Sequence, residues 1–298
     1  MPNILLIVKV DILKYSILYL VTMKDMMLKL KRRFYFTYKR VEIEIRSINA
    51  QINTSPIFIL GNQKSGTSAI AALLGAATGI SVSIDLTKEW IYRKKGYLLA
   101  KEKQLSFSQF VHRNKFDFSR DIIKEANLTI FYNDLVRFFP NSRFVFVVRD
   151  PRSNIRSILN RVKVPGDLDS LDSWDNKPHI PLGWEKVIYN SWLGLNGDNY
   201  ISSLAQRWNL MTDIYLRNNS NMILARYEDF LHNKVGHISN IAYKLDLNPR
   251  HDISEKIDLQ YQPKGNNEQS FLSFYGSNNL QRVESICAKN MHFFDYKL

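Results

Sequence analysis

In the stretch FILGNQKSGTSAIAALL, residues 58 to 74, a lysine and several hydroxyl residues cluster around two glycines. The apolar run from Ile57 to Leu60 predicts a strand, the glycines a tight turn, and the small residues a helix from about Thr67 to Ala77. Successive backbone N–H groups at such a helix start form a nest for an anion. Gly61 and Gly66 allow close backbone approach, Lys64 adds a point charge, and Ser65, Thr67 and Ser68 add hydroxyl donors. The glycine spacing matches the triphosphate loop G-x-x-x-x-G-K-[ST]. Thr67, however, fills the lysine's slot, and Lys64 stands three residues earlier.

A second cluster, VVRDPRSNIRS, follows the clearest strand pattern, RFVFVV. Arg149 stands where that strand ends, Asp150 is placed to cap a helix, and Pro151 suits its first turn. Ser157 follows two turns later, so Arg149 and Ser157 can meet on one phosphate, and an arginine's planar fork pairs bidentately with phosphate oxygens. Arg152 and Arg156 read as a solvated basic face of that helix.

These residues need a scaffold that brings strand ends together. From about residue 55 short apolar strands alternate with helical patterns, which predicts an α/β domain with a central, mostly parallel sheet of about five strands and helices on both faces. The strands are expected in PIFIL, GISVSI, RDIIKEA, RFVFVVRD and NMILARYED; helices are expected in LTIFYNDLVRFF and NYISSLAQRWNLMTDIYLRN. Residues 162–197, rich in Pro, Gly, Asp and Trp, read as a loop or lid. Residues 1–54 read as an N-terminal helical, basic extension and 55–298 as the main domain. In open parallel sheets ligands bind beyond the carboxyl ends of the strands, where both clusters fall.

Two phosphate sites at neighbouring strand ends imply a nucleotide phosphorylated at both ends. The chain resembles the sulfotransferases that use 3′-phosphoadenosine 5′-phosphosulfate, through LGNQKSGTSAI and FPNSRFVFVVRDPRSNIRS, with support from LAQRWNLM, ILARYEDF and LDLNP. The resemblance runs from about residue 55 to the end and implies a P-loop-like sulfotransferase fold, with carbohydrate-type and bacterial-type members the nearer likeness. It implies that Lys64 touches the bridging oxygen and leaving phosphate. It also implies that Ser65, Gly66, Thr67 and Ser68 bind the 5′-phosphate and that Arg149 and Ser157 hold the 3′-phosphate. Lys124, at the end of the third strand, is the counterpart of a second family lysine. Lys264 and Gly265 in YQPKGNN match a basic-glycine segment that closes over the 3′-phosphate in many members. The phosphosulfate is then a co-substrate, 3′,5′-bisphosphorylated adenosine is the product, and no metal is needed.

Sulfuryl transfer also needs a base for the acceptor hydroxyl. The small-molecule members' histidine position is Ala126 here, which turns the expectation toward a carbohydrate or glycolipid hydroxyl, with other small hydroxylated molecules as the alternative. Glycan-type members use a glutamate after the second strand. The candidates are Glu89, then Asp85, then Glu125. Trp174, Trp184, Tyr189 and Trp192 could stack on sugar rings.

With 298 residues, one large core is the default. The formal charge of +13 points to an anionic partner without choosing it. A single cysteine, Cys287, excludes an internal disulfide and fits a reducing compartment, so a cytoplasmic location is expected. Cys287 itself reads as a small buried side chain. The apolar N-terminal run is interrupted by Lys9, Asp11 and Lys14, too soon for a span of about 20 residues. A helix packed on the domain, or a start at Met23, Met26 or Met27, is preferred there. The following KLKRRFYFTYKR could hold an amphipathic segment on an anionic membrane. No recognition helix, zinc finger or aromatic RNA-binding signature points to nucleic acid. The competing readings are a P-loop kinase or nucleoside triphosphatase, which needs a lysine after Gly66 and a Mg²⁺-organising aspartate, and a non-catalytic basic protein that binds anionic polymers.

Overall fold

The computed structural model describes residues 26–27, 30–31, 33–91, 95–172, 174, 179–259 and 269–297. The chain divides into two compact units after Asn49. In the first, residues 33–48 form a helix. Its Phe34, Tyr38, Val41, Ile45 and Ile48 recur at alternating steps of four and three and are all exposed. That spacing lines one side chain above the next along a single stripe of the helix.

The second unit is built on strands β1 (Ile57–Gly61), β2 (Val82–Ile84), β3 (Ile122–Lys124), β4 (Arg143–Val148) and β5 (Met222–Arg226). They form one five-stranded sheet in the order β2-β3-β1-β4-β5, every pairing parallel. Helix α1 (Thr67–Thr78) follows β1, and α2 (Thr87–Ile91), α3 (Lys95–Lys101) and α4 (Phe107–Arg113) lie between β2 and β3. After β3 come α5 (Tyr132–Phe138), then α6 (Pro151–Val162), α7 (Leu182–Tyr189) and α8 (Tyr200–Arg217) ahead of β5. The chain ends through α9 (Tyr227–His232), α10 (Lys234–Lys244) and α11 (Phe271–Phe293).

Side chains alternate across a strand, and here the alternation separates two cores. Ile57, Ile59, Val145, Val147 and Ala225 face one way, onto Ile70, Leu73 and Leu74 of α1 and Ile238 and Ile241 of α10. Phe58, Leu60, Phe144, Phe146 and Val148 face the other, onto α5, α6, α8 and α11. A sheet buried on both faces explains why β1 and β4 read as continuous apolar runs. It also gives three layers, helix–sheet–helix.

Several elements differ from the sequence reading. The strand expected across RDIIKEA is limited to Ile122–Lys124, because Glu125 turns to cap a 3₁₀ stretch, Ala126–Phe131, accepting the N–H of Asn127. The helix expected from Leu128 therefore starts as 3₁₀ and becomes α only at Tyr132. The 162–197 segment carries α7 and a 3₁₀ turn at Ser191–Leu193 rather than loop alone. Cys287 is fully buried on α11, where burial pushes its thiol well up, as a small core side chain. Among the described residues no helix is long and apolar enough to cross a membrane.

Candidate active site

Because β1 lies between β3 and β4, the chain leaves β1 toward one half of the sheet and β4 toward the other. The crevice between the ends of β1 and β4 is the topological switch point, where such sheets take ligands. The loop after β1 is shaped by two positions that only glycine fits. Gly61 has φ 138°, and a Cβ there would lie 2.4 Å from the Val147 carbonyl oxygen. Gly66 has φ 94°, and a Cβ there would enter the Tyr227 ring at 2.2 Å. Lys64 is itself left-handed at φ 66°, a conformation that costs about 1 kcal/mol or more in a non-glycine residue. The resulting curl leads into α1, whose N-cap is Gly66 with no capping side chain and whose first turn holds no acid. That leaves a helix N-terminus suited to an anion, with Ser65, Thr67 and Ser68 at its rim.

The end of β4 meets this loop directly. Arg149 donates from Nη1 to the Lys64 carbonyl oxygen at 3.1 Å and lies 4.6 Å from the centre of the Tyr227 ring. Burial holds its guanidinium below the ordinary value. Asp150 caps α6 by accepting the N–H groups of Arg152 and Ser153, and Pro151 opens the helix, as the sequence implied. Ser157 stands two turns along α6, half-buried.

Arg152 and Arg156 are not a solvated face. Arg152 pairs with Asp150 at 2.7 Å and Glu284 at 3.0 Å. Arg156 is buried, donates to the Gln269 carbonyl at 2.7 Å and lies 4.7 Å from the Phe271 ring centre. Helix α11 covers this side of α6, a packing between segments remote in sequence. Lys264 and Gly265 lie outside the described residues.

The ends of β2 and β3 add an ion pair. Lys124 is buried, and its Nζ lies 2.6 Å from Oδ1 of Asp85, whose side chain is 48% exposed. Asp85 adopts φ 62°, another non-glycine residue in the left-handed region. Lys64 is pushed down to about 8 by burial first and then by the charges of Arg161, Arg149 and Lys124. Lys64, Lys124, Arg149 and Asp85 therefore share one charged crevice.

The other two acids expected as bases are placed differently. Glu89, ranked first from sequence, is 0% exposed. Its carboxylate lies 3.4 Å from Arg113 Nε and 3.4 Å from Asn114 Nδ2, and it accepts backbone N–H groups of Gly96 and Tyr97. Burial holds its carboxyl up despite these partners. Space is so short that a Cβ on Gly96 would come within 2.1 Å of it. Glu89 is thus the buried joint of α2, α3 and α4, closed to an acceptor entering from solvent. Glu125 is likewise buried and occupied as the cap of the 3₁₀ stretch. Trp90, the neighbour of Glu89 on α2, is by contrast exposed.

Sequence reading missed a buried layer beneath the loop. Arg207 of α8 is fully buried, and burial pushes it down to about 9. It donates to the side-chain oxygens of Asn62, Gln63, Asn127 and Asn190. A charged residue on the apolar face of an otherwise periodic helix was the available signal. Of the lid aromatics, Trp174, Trp184 and Trp192 pack against the core while Tyr189 is exposed. Among the described residues no group of three or more His, Cys, Asp or Glu is placed to hold a metal ion.

No family model matches the chain, and no curated protein matches it. Among solved structures, it is similar to the sulfotransferase domain from the curacin biosynthetic pathway, at 15% identity and TM-score 0.44, over 83% of this chain and 100% of that one. It is similar to a sulfotransferase from Mycobacterium tuberculosis H37Rv at 13% identity and TM-score 0.47, over 87% and 85% of the two chains. A third is retinol dehydratase in complex with androsterone and inactive cofactor PAP, at 14% identity and TM-score 0.41, over 82% of each chain. At these identities and TM-scores none of the three speaks to function, which has to come from the site's own residues.

The lowered value of Lys64 makes the site a cost to stability. Between pH 8 and the ordinary lysine value the unfolded chain binds the proton that the native chain has released, so stability rises with pH across that window. Below pH 8 the charge opposes folding fully. Lys64→Met is expected to raise the thermal midpoint by a few degrees at pH 7, with the gain shrinking as pH rises above 8. A midpoint lowered at pH 7 would contradict this account.

Proposed function

We propose that this chain transfers a sulfuryl group from 3′-phosphoadenosine 5′-phosphosulfate to an acceptor hydroxyl. The observation that carries the reading is the meeting of two anion-binding elements, with Arg149 hydrogen-bonded to the loop at Lys64 beside the uncapped start of α1. One loop and one arginine on adjacent strands suit a ligand with phosphates at both ends. The loop takes the 5′-phosphosulfate through backbone N–H groups and the hydroxyls of Ser65, Thr67 and Ser68. Arg149, with Ser157, takes the 3′-phosphate.

In the reaction the acceptor oxygen bonds to sulfur as the bond from sulfur to the 5′-phosphate oxygen breaks, and the hydroxyl proton passes to a base. Asp85 is assigned that base, because it is the exposed carboxylate in the crevice and Lys124 orients it at 2.6 Å. Lys64 and Lys124 stabilise the charge that collects on the departing phosphate. A carbohydrate or glycolipid acceptor is supported by the exposed Tyr189 on α7, a ring able to stack on a sugar face. The kinase reading loses support because Asp150, the aspartate at a strand end, already caps α6 and pairs with Arg152.

Adenosine 3′,5′-bisphosphate is expected to raise the thermal midpoint where ATP with Mg²⁺ does not, since ligands of the native state stabilise it. Its affinity should fall as pH rises through about 8, as Lys64 loses its proton. The opposite ligand preference would sink the sulfotransferase reading. For the base, transfer of labelled sulfate to a glycan panel should drop by about 10²–10⁴-fold in Asp85→Asn. Bisphosphate binding should survive in that variant, and Glu89→Gln should keep transferring. Loss of turnover in Glu89→Gln alone would return the role to Glu89.

The stripe of Phe34, Tyr38, Val41, Ile45 and Ile48, on a helix that also bears Arg33, Lys39, Arg40 and Arg46, supports a second proposal, contact with an anionic membrane surface. The full chain should float with vesicles containing phosphatidylserine and not with phosphatidylcholine alone, and Ile45→Asp should abolish it. Equal flotation on both, or none, would refute membrane contact.

A further inference from the structure

The amide layer under the loop contains a charge whose hydrogen bonds reach no carboxylate among the described residues. The five hydrogen bonds that Arg207 donates all end on carboxamide oxygens: Asn62 Oδ1 at 3.1 Å, Gln63 Oε1 at 3.0 and 2.7 Å, Asn190 Oδ1 at 2.8 Å and Asn127 Oδ1 at 3.0 Å. Among the described residues Glu125 is the acid whose charge acts on Arg207, and it is itself engaged in capping the 3₁₀ stretch. A buried arginine is ordinarily met by a carboxylate, because its desolvation is otherwise costly. Here four amides stand where acids would neutralise it.

A guanidinium can only donate, so every amide facing it must present oxygen and turn its NH₂ group outward. Asn62 accordingly donates to Asn154 Oδ1 at 2.9 Å, and Asn154 donates to the Gln63 carbonyl at 2.8 Å and to Ser65 Oγ at 3.0 Å. With Oγ accepting from Asn154, the Ser65 hydroxyl keeps its own proton to donate elsewhere. Gln63 closes the circuit by donating to Asn127 Oδ1 at 2.7 Å. On the lid side, Asn190 holds φ 53° and donates to the carbonyls of Val187 and Ser203 at 2.6 and 3.2 Å. One guanidinium thus sets the polarity of the loop and ties it to the segment after α7.

We propose that Arg207 is a positioning residue for anion binding at the 61–68 loop, orienting its donors through Asn62 and Asn154 and adding a positive potential beneath it that no hydrogen-bonded carboxylate offsets. The inference rests on the function proposed above for the ligand's identity, but not for the presence of an anion. A merely structural arginine would be served as well or better by an acid partner, and this separates the two roles.

Asn127→Asp places a carboxylate against Arg207 while preserving both hydrogen bonds that Asn127 Oδ1 accepts. Binding of inorganic pyrophosphate and of adenosine 3′,5′-bisphosphate to the full chain is measured by calorimetry, and the thermal midpoint is measured alongside. Affinity for both probes is expected to fall about tenfold or more, as Coulomb attraction over several ångströms allows, with the midpoint unchanged or raised. Gln63→Glu repeats the test from the loop side should Asn127→Asp fail to fold. Unaltered affinity with the midpoint unchanged or raised would reduce Arg207 to a structural role and overturn the proposal. Wild-type binding of pyrophosphate without the bisphosphate would refute the nucleotide reading while leaving the Arg207 comparison intact. Binding of neither probe would refute both.

Discussion

Lys64, Lys124 and Arg149 stand at the ends of adjacent strands β1, β3 and β4, and burial first, then the charges of Arg161, Arg149 and Lys124, hold the Lys64 ammonium below its ordinary value. Asp85 pairs directly with Lys124. The arrangement is unfavourable without a ligand and favourable with a multiply charged anion, which is what a site preorganised for phosphate should look like. Much else in the domain answers to that constraint. The loop spends left-handed backbone at Lys64, and α1 leaves its first turn without a capping side chain. Arg207 beneath is met by amides where an acid would relieve it.

The remaining acids of the region show how the field is kept. Glu89 and Glu125 are both buried and both committed to backbone N–H groups, the one joining α2 to α3 and α4, the other ending β3. Asp150 is turned to the start of α6 and to Arg152. Each is thereby drawn away from the crevice into local structure. Asp85 alone of these four is substantially exposed beside a buried lysine, and that combination of access and orientation is why it suits proton transfer.

Much of this was legible in the residue pattern. Alternating β-branched and aromatic strands at Ile57–Gly61 and Arg143–Val148 announce a sheet buried on both faces, and Gly61 with Gly66 announces the turn. Asp150 and Pro151 announce the start of α6. The extent of the short strands was less legible. Strands are expected across GISVSI and RDIIKEA, but β2 and β3 hold only three residues each, and Glu125 ends β3 by a side-chain cap that propensity does not encode. That Glu89 is buried and Asp85 half-exposed was not legible, because a position four residues along a chain says nothing of which side of a helix the carboxylate takes.

The sequence by itself determined the parallel sheet, the glycine loop after β1 and the arginine that follows β4, because each is written in contiguous residues whose spacing fixes the local backbone. Tertiary structure alone decided which acid faces the crevice, that Arg152 and Arg156 are engaged by α11 and its approach, and that Arg207 lies under the loop. Those outcomes depend on contacts between Arg207 and Gln63, or Arg152 and Glu284, separated by more than a hundred residues. Burial and charge compensation are properties of what arrives from elsewhere in the chain, and a local pattern carries no record of it.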